Sequence, residues 1–260
     1  MPIVTLISYT PDPVRTVAAA AKLCYSRSGI ETLLDNLDEH KANDFVEMLS
    51  DLGHESPIEH ASFTFGIEGV SRAFLAQITR HRLASYSVQS QRYVEKQGFD
   101  YVTPPEIAGI PEAAAEYGRI MDECAKSYET LTSLLKEKHE RELVQGGMDP
   151  KEAGRKAAKM AIEDARFVLP NACDTRMVVT MNARSLHNFF KQRLCSRAQW
   201  EIRAVAEQMY RLVYAVAPVL FAHAGPPCAD GPCPEGKMSC GQMAAVKEKY
   251  RLLRGELRGK

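Results

Sequence analysis

The apolar positions change period several times along the chain, and each change predicts an element. "PIVTLISY" reads as a strand. "DPVRTVAAAAKLCYS" follows as a helix, with Asp12 as its N-cap and Pro13 at the first helical position. A second helix is expected through "DEHKANDFVEMLSDLG", where Phe45, Met48 and Leu49 share one face and Gly53 stands as C-cap. "SPIEH" predicts a short helix, because Ser56 and Glu59 have capping-box spacing around Pro57. "ASFTFGIEGV" alternates as a strand, and Ser71 is placed to cap "SRAFLAQITRHR", whose Ala73, Phe74 and Ile78 form an apolar stripe. "RYVEK" and "FDYVTP" read as a pair of strands separated near Gly98.

A long helix is expected from Pro111 to about Val144, ending at Gly146-Gly147. Another starts at Asp149-Pro150 and runs through "KEAGRKAAKMAIEDARFVLP" until Pro170 stops it. "DTRMVVTMN" is a strand. The periodic run from "ARSLHNFFKQR" onward is too long for one ordinary helix, and a second capping box at Ser196 and Gln199 predicts a break near Leu194 to Ser196. Strands separated by long, unequal helices predict an α+β fold, a mixed or antiparallel sheet with long helices. No G-x-G-x-x-G follows a strand, so no Rossmann unit is expected. The expected organisation is a single α+β domain over 1–220, then a Cys/Gly/Pro-rich tail and terminal helix over 221–260.

Composition adjusts this picture only slightly. The 260 residues are 45% hydrophobic and 25% charged, which is ordinary globular usage. No run approaches the ~18 apolar residues of a membrane span. "MPIVTLISYTPDP" has neither a basic leader nor a cleavable apolar segment, so a cytoplasmic location and no membrane partner are expected. Lys plus Arg (33) balances Asp plus Glu (33). That balance argues against a general polyanion binder, so no stable nucleic-acid partner is expected and any bound anion is small.

Against that neutral background, "RHRLASYSVQSQRY" concentrates Arg80, His81, Arg82 and Arg92 among Ser85, Ser87, Ser90 and Tyr93. One cation would complement the negative pole of a helix for ~0.3–1 kcal/mol. Several cations repel one another unless an anion sits among them. Arginine can grip a phosphate or carboxylate with two parallel hydrogen bonds, and the hydroxyls around Ser90 would complete the cradle. Ser90 lacks a G-x-S-x-G context and is assigned to binding. "GHESPIEH" supplies His54, Glu55, Glu59 and His60, but it is not H-E-x-x-H and has no convincing third ligand, so no metal is assigned. In "NARSLHNFFKQR", Arg184 and Asn188 project from one helical face, with Arg193 at the end.

The central segment resembles the signature of the flavin-dependent thymidylate synthase family: Arg-His-Arg, seven residues, Ser, then Arg two further on, here Arg80, His81, Arg82, Ser90 and Arg92. "GHESPIEHASFTF" and "VLPNACDTRMVVTMNARSLHNFFKQRLCSRAQWEIR" resemble other family blocks in the right order, so the likeness covers about residues 45 to 215. The resemblance implies a homotetramer of α+β subunits with active sites between chains, each binding FAD and deoxyuridine monophosphate (dUMP). It implies conversion of dUMP to thymidine monophosphate (dTMP), with methylenetetrahydrofolate giving the carbon and NADPH the electrons through the flavin. Carried over by position, Arg80, His81 and Arg82 would contact FAD, with Arg80 also reaching the nucleotide. Ser56, Glu59, Asn182, Arg184 and Asn188 match flavin-side positions, and His54 matches one near flavin and folate. Gln77, Ser90, Gln91, Arg92 and Arg166 match nucleotide-side positions. Arg193 matches the catalytic arginine that favours ionisation at N3 of the uracil ring, which makes physical sense because ring activation without a covalent cysteine needs an anion stabilised there.

The chain departs from the family pattern in places. Ser87 and Val88 stand where many members have Asn and Glu, and Arg197 where some have His. The tail "HAGPPCADGPCPEGKMSCG" brings His223, Cys228, Cys233 and Cys240 together, open to a Cys₃His zinc site without the usual C-x₂-C knuckle, a redox-active pair, or a cap over a neighbouring subunit. Two other functions fit parts of the pattern: a flavin-dependent pyrimidine-nucleotide hydroxymethylase, and a non-catalytic nucleotide- or RNA-binding protein.

Overall fold

A computed structural model describes residues 1–92 and 99–258. Four strands form one sheet in the order β1-β2-β4-β3: β1 Ile3–Tyr9, β2 Ser62–Ser71, β3 Ser85–Val88 and β4 Asp174–Asn182. β1 runs antiparallel to β2, and its register slips between Leu6 and Ser8. Ile7 is the extra residue, and it lies over Gly66, where an added Cβ would meet Ile7 Cδ1 at 3.4 Å. Long helices accompany this small sheet, so the α+β reading holds. Among the described residues no helix is long and apolar enough to cross a membrane.

The chain divides into two compact units: Met1–Glu68 with Gln77–Ser87 and Met177–Lys260, and Gly69–Ala76 with Val88–Arg176. Helices of the first unit are α1 Pro13–Leu23, α2 Ile30–Asp35 and α3 Glu39–Asp51 near the N-terminus, then α8 Ala183–Arg193, α9 Trp200–Val216 and α10 Met243–Arg258. The short helix α4 Arg72–Ile78 crosses from one set of residues to the other. In the second unit are α5 Pro105–Ala108, α6 Pro111–Gln145 and α7 Pro150–Ala165.

In the first unit, alternation along β2 and β4 sends Phe63, Phe65 and Ile67, with Met177, Val179 and Met181, into the core. α8 contributes Leu186, Phe189 and Phe190, and α9 Val205, Met209, Tyr210 and Val213. Edge-on aromatic pairs lock these layers: Phe63 with Phe221 at 5.4 Å and Phe190 with Tyr210 at 5.5 Å. Each such ring, fully buried, contributes about 1.5–3 kcal/mol. The second unit is built on the α6–α7 hairpin, where Ala153, Ala157 and Ala161 are buried on one face of α7, and Tyr128 packs with Ile162 and Ala165. Phe99, Met121 and Cys173 form a second cluster there.

Several sequence expectations need correcting. Asp12 precedes α1 with φ 43 and its side chain makes no cap bond, so Pro13 sets that start. "SPIEH" forms a 3₁₀ turn, Pro57–His60, and Ser56 does not cap it. Ser56 itself has helical dihedrals, so it cannot present its oxygen as an N-cap does. "FDYVTP" makes only an isolated bridge between Tyr101 and Cys173. Of the other predicted strand, "RYVEK", all but Arg92 lies outside the described residues. β3 forms instead inside the signature, where Ser85 to Val88 supply alternating half-buried and exposed positions. α7 ends at Ala165, and a 3₁₀ turn, Arg166–Val168, leads toward Pro170. The break between α8 and α9 is real, but Gln199 caps α9 alone, its Oε1 accepting from Glu201 N at 3.0 Å and Ile202 N at 3.1 Å. α2 was not anticipated.

Candidate functional site

In the first unit, one face of α8, the turn after α4, Glu55 and Glu59, and the segment before α10 line a cavity of about 990 Å³. That is at the upper end for ligand pockets. It is lined by Glu55, Glu59, Arg80, His81, Arg82, Asn182, Arg184, Asn188 and Arg193, with Leu83, His187, Lys191, Gln192 and tail residues His223 to Pro227 and Asp230.

α8 delivers most of these groups through helical spacing. Its start is fixed by Asn182, whose Oδ1 accepts from Ser185 N at 2.8 Å. Arg184, His187, Asn188 and Lys191 then follow at i, i+3, i+4 and i+7, a polar stripe opposite buried Leu186 and Phe190. Arg184 is exposed and braced by Glu59 at 2.5 Å and Glu55 at 3.5 Å, which hold its guanidinium above the usual range. Asn188 Oδ1 accepts from Gln192 Nε2 at 3.2 Å. His187 donates through Nε2 to the Leu220 carbonyl at 2.8 Å and stacks on Phe221 at 5.4 Å. Burial holds its imidazole below the usual range.

The Arg80-His81-Arg82 turn is held from beneath. The Tyr86 hydroxyl lies 2.8 Å from the carbonyl oxygens of both Ile78 and His81, so one proton is shared between two acceptors and the loop back to β3 is closed. Burial pushes the Tyr86 phenol up to about 12. His81 sits edge-on to Phe189 at 5.0 Å, and its Nε2 accepts from Arg193 Nε at 3.0 Å. Burial, reinforced by the Arg193 charge, pushes the His81 imidazole down to about 4. The ring is therefore neutral at pH 7, with its proton on Nδ1. Arg193 is itself held below the usual range, first by burial and then by Arg80.

The second unit gathers its own cations. Arg92 Nη2 pairs with Glu163 Oε1 at 2.7 Å, and its backbone N donates to Ser90 Oγ at 3.1 Å. Arg166 Nε donates to the Glu163 carbonyl at 2.9 Å. Gln91 Nε2 reaches Cys173 Sγ at 3.6 Å. Arg72 is half-buried and held below the usual range by burial, with Arg166 adding repulsion that Cys173 opposes. Arg92 and Arg166 thus both engage Glu163, one through its carboxylate and the other through its backbone carbonyl, and Arg72 lies near enough to Arg166 to be repelled by it.

The family model for "Thymidylate synthase complementing protein" matches residues 5–219. A "Flavin-dependent thymidylate synthase" of Clostridium tetani is 51% identical over 247 residues, covering 95% of this chain and 96% of that protein. Proteins of the same name from Geobacter sulfurreducens and Pyrococcus furiosus are 47% and 38% identical, over 95% and 89% of this chain and 97% and 89% of their own lengths. The chain belongs to the flavin-dependent thymidylate synthase family. It is therefore an enzyme of that family.

In this flavin-dependent thymidylate synthase, the residues nominated from sequence divide between the units. Glu59, Arg80, His81, Arg82, Asn182, Arg184, Asn188 and Arg193 line one cavity. Ser90, Gln91, Arg92 and Arg166 lie in the second unit. His54, Ser56 and Gln77 belong to the first unit but not to the cavity lining, and Gln77 Nε2 faces Gln199 Oε1 at 3.5 Å. His187 and Lys191 were missed although the stripe that holds Arg184 and Asn188 predicts them. Arg72 was missed because it sits where a helix start normally needs no explanation. Nothing in the sequence signals that the tail supplies a cavity wall.

Proposed function

We propose that this enzyme converts dUMP to dTMP, taking the carbon from methylenetetrahydrofolate and the electrons from NADPH through FAD. One observation carries the reading: Arg193, Arg80, Arg82 and Arg184 converge with Asn182 and Asn188 on one large cavity. Its donor set suits an extended dinucleotide. Arg80, Arg82 and Lys191 would meet a pyrophosphate, the amides of Asn182, Asn188 and Gln192 would meet heterocycle edges, and Leu83, 81% exposed, offers an apolar surface to a flat ring. The flavin, when bound, supplies the two-electron chemistry that the protein lacks. Asn182, Arg184 and Asn188 orient it, and Glu59 and Glu55 keep Arg184 in place.

Ser90, Gln91, Arg92 and Arg166 bind the nucleotide phosphate. Arg193 stabilises negative charge at N3 of the uracil ring, raising electron density at C5. Neutral His81 accepts from Arg193 Nε and leaves its terminal nitrogens as donors, which sets the guanidinium plane. His54 and Ser56 serve the flavin and folate side, and Gln77 the nucleotide side, through approaches outside the cavity lining. Residues 1–220 form the catalytic domain and 221–260 a tail; the family match, ending at residue 219, supports that division.

The working form is a homotetramer in the cytoplasm. Exposed apolar side chains, Ile3, Ile7 and Tyr9 on β1 and Val178 on β4, support burial against other copies. Seven free cysteines suit a reducing compartment. The test is the purified protein's absorbance spectrum followed by turnover of C5-tritiated dUMP with methylenetetrahydrofolate and NADPH. Flavin bands, tritium release and dTMP are expected. A hydroxymethylated product, or a colourless protein that does not oxidise NADPH, overturns the reading.

A further inference from the structure

Four of the seven cysteines lie in the α8–α9 connection and the stretch before α10. Between two of them, Cys228 and Cys233, the chain turns back on itself, Ala229 N donating to the Pro226 carbonyl at 2.8 Å and Gly231 N to the Pro227 carbonyl at 3.1 Å. Cys195 lies in the α8–α9 connection, Cys228 in a 3₁₀ turn, Pro227–Ala229, and Cys233 and Cys240 in the stretch before α10. Two arginines tie these segments together. Arg197, two residues after Cys195, donates to Glu235 Oε2 at 3.2 Å and to the Met238 carbonyl at 2.8 Å, positions that lie between Cys233 and Cys240. Arg254 of α10 grips Asp230 through both oxygens, at 2.6 and 2.9 Å, and donates to the Ala224 carbonyl at 3.1 Å. The turn that carries Cys228 is thereby held against α9 and α10, and its neighbours Pro226, Pro227 and Asp230 form part of the cavity wall.

All four thiols are free: Cys228 is buried, Cys195 and Cys233 are half-buried, and Cys240 is exposed. Burial raises the Cys228 thiol above its ordinary range, and the neighbouring thiols of Cys233, Cys195 and Cys240 raise it further, Cys233 most. Among the described residues no three Cys, His, Asp or Glu side chains are set to hold a metal ion, so the cluster is not a preformed zinc site.

We propose that Cys228 and Cys233 are a dithiol that closes reversibly to a disulfide beside the cavity-lining residues Pro227 and Asp230, by exchange with small-molecule disulfides. The half-buried Cys233 is the accessible member. Its thiolate attacks one sulfur of the incoming disulfide, forming a mixed disulfide and releasing the first thiolate, which takes up a proton. The Cys228 thiolate then attacks the Cys233 sulfur, and the second small thiolate leaves. The protein loses two protons and two electrons, and the oxidant takes them up to become two thiols. The closed ring spans Asp230, the residue through which Arg254 anchors the wall.

The experiment uses the full chain carrying its flavin, incubated without oxygen with oxidised glutathione, alkylated, unfolded and digested with trypsin. Cys228 and Cys233 share the peptide from Leu212 to Lys237, whereas Cys195 and Cys240 fall in separate peptides, Leu194 to Arg197 and Met238 to Lys247. The expected product is the first peptide two hydrogens lighter, unalkylated at both sulfurs and restored by a reductant. Cys228→Ser should instead keep glutathione on Cys233. The proposal is overturned if the wild-type peptide retains glutathione or both free thiols, if it becomes linked to either other peptide, or if native mass spectrometry finds stoichiometric zinc protecting these thiols.

Discussion

Arg193 donates through Nε to His81 Nε2 at 3.0 Å, across 112 positions of sequence. A guanidinium and an imidazole would repel each other if both were charged, so the contact requires a neutral ring, and burial secures it by pushing His81 down to about 4. The folded-state value lies below the unfolded one, near 6.5. The unfolded chain therefore binds more protons between pH 6.5 and 4, and stability falls as pH falls through that window. His81→Gln keeps an acceptor at about the reach of Nε2 without its titration. Urea unfolding at pH 7 and pH 5 should show a smaller acid loss in this variant than in wild type, and equal losses would exclude His81 as the sensitive group.

Arg193→Ala tests the other partner. Removing the guanidinium should abolish tritium release from C5-labelled dUMP while flavin absorbance stays at the wild-type level, because Asn182, Arg184 and Asn188 remain. Wild-type turnover in this variant would end the assignment of Arg193 as the group beside N3.

Tyr86 supplies the third element of this arrangement, one hydroxyl serving the carbonyls of Ile78 and His81 at 2.8 Å each. Tyr86→Phe leaves both without that donor in a half-buried setting, which should cost about 1–3 kcal/mol. Denaturant unfolding of the flavin-free protein measures it. A change under about 0.5 kcal/mol, within the usual range of surface substitutions, would mean that water replaces the phenol.

Much of this was legible in the sequence, for reasons that differ by element. Long helices announce themselves through period and punctuation: Pro111 and Gly146 bound α6, and Asp149 caps α7 with bonds to the Lys151 and Glu152 amides. The signature residues Arg80, His81 and Arg82 stood out because three adjacent basic residues exceed what a helix end needs. What could not be read depended on tertiary partners. β3 is four residues long and draws its pairing from β4, not from its own alternation. Ser56 has the residue type and spacing of a cap, but the backbone before the 3₁₀ turn denies it the cap conformation. The Arg193–His81 and Arg197–Met238 bonds join residues far apart in sequence, which no local pattern encodes.

Arg92 is already engaged by Glu163 at 2.7 Å, and both side chains are nearly half exposed. If Arg92 grips the nucleotide phosphate, Arg92→Ala should weaken dUMP binding by about 1.5–3 kcal/mol, the value of a charge-assisted hydrogen bond. Glu163→Gln should act in the opposite direction, because phosphate no longer has to displace a carboxylate. An exposed ion pair is worth at most about 1 kcal/mol, so that gain should not exceed about fivefold. Calorimetric titration of both variants checks the pair of signs, and weaker binding in Glu163→Gln would show that the carboxylate helps to place Arg92.

Asn182 has two duties that one substitution can separate. Its Oδ1 caps α8 by accepting from Ser185 N at 2.8 Å, while the residue also belongs to the cavity lining. Asn182→Ala removes both, and loss of the cap alone should cost about 1 kcal/mol. Asn182→Asp keeps the acceptor and adds negative charge at the positive pole of α8, which favours the helix by about 0.3–1 kcal/mol. The same charge replaces a donor and repels a pyrophosphate. Asn182→Asp should therefore unfold no more easily than wild type yet purify with less flavin, whereas Asn182→Ala should lose on both counts. Full flavin loading in a stable Asn182→Asp protein would show that Asn182 acts only as the cap of α8.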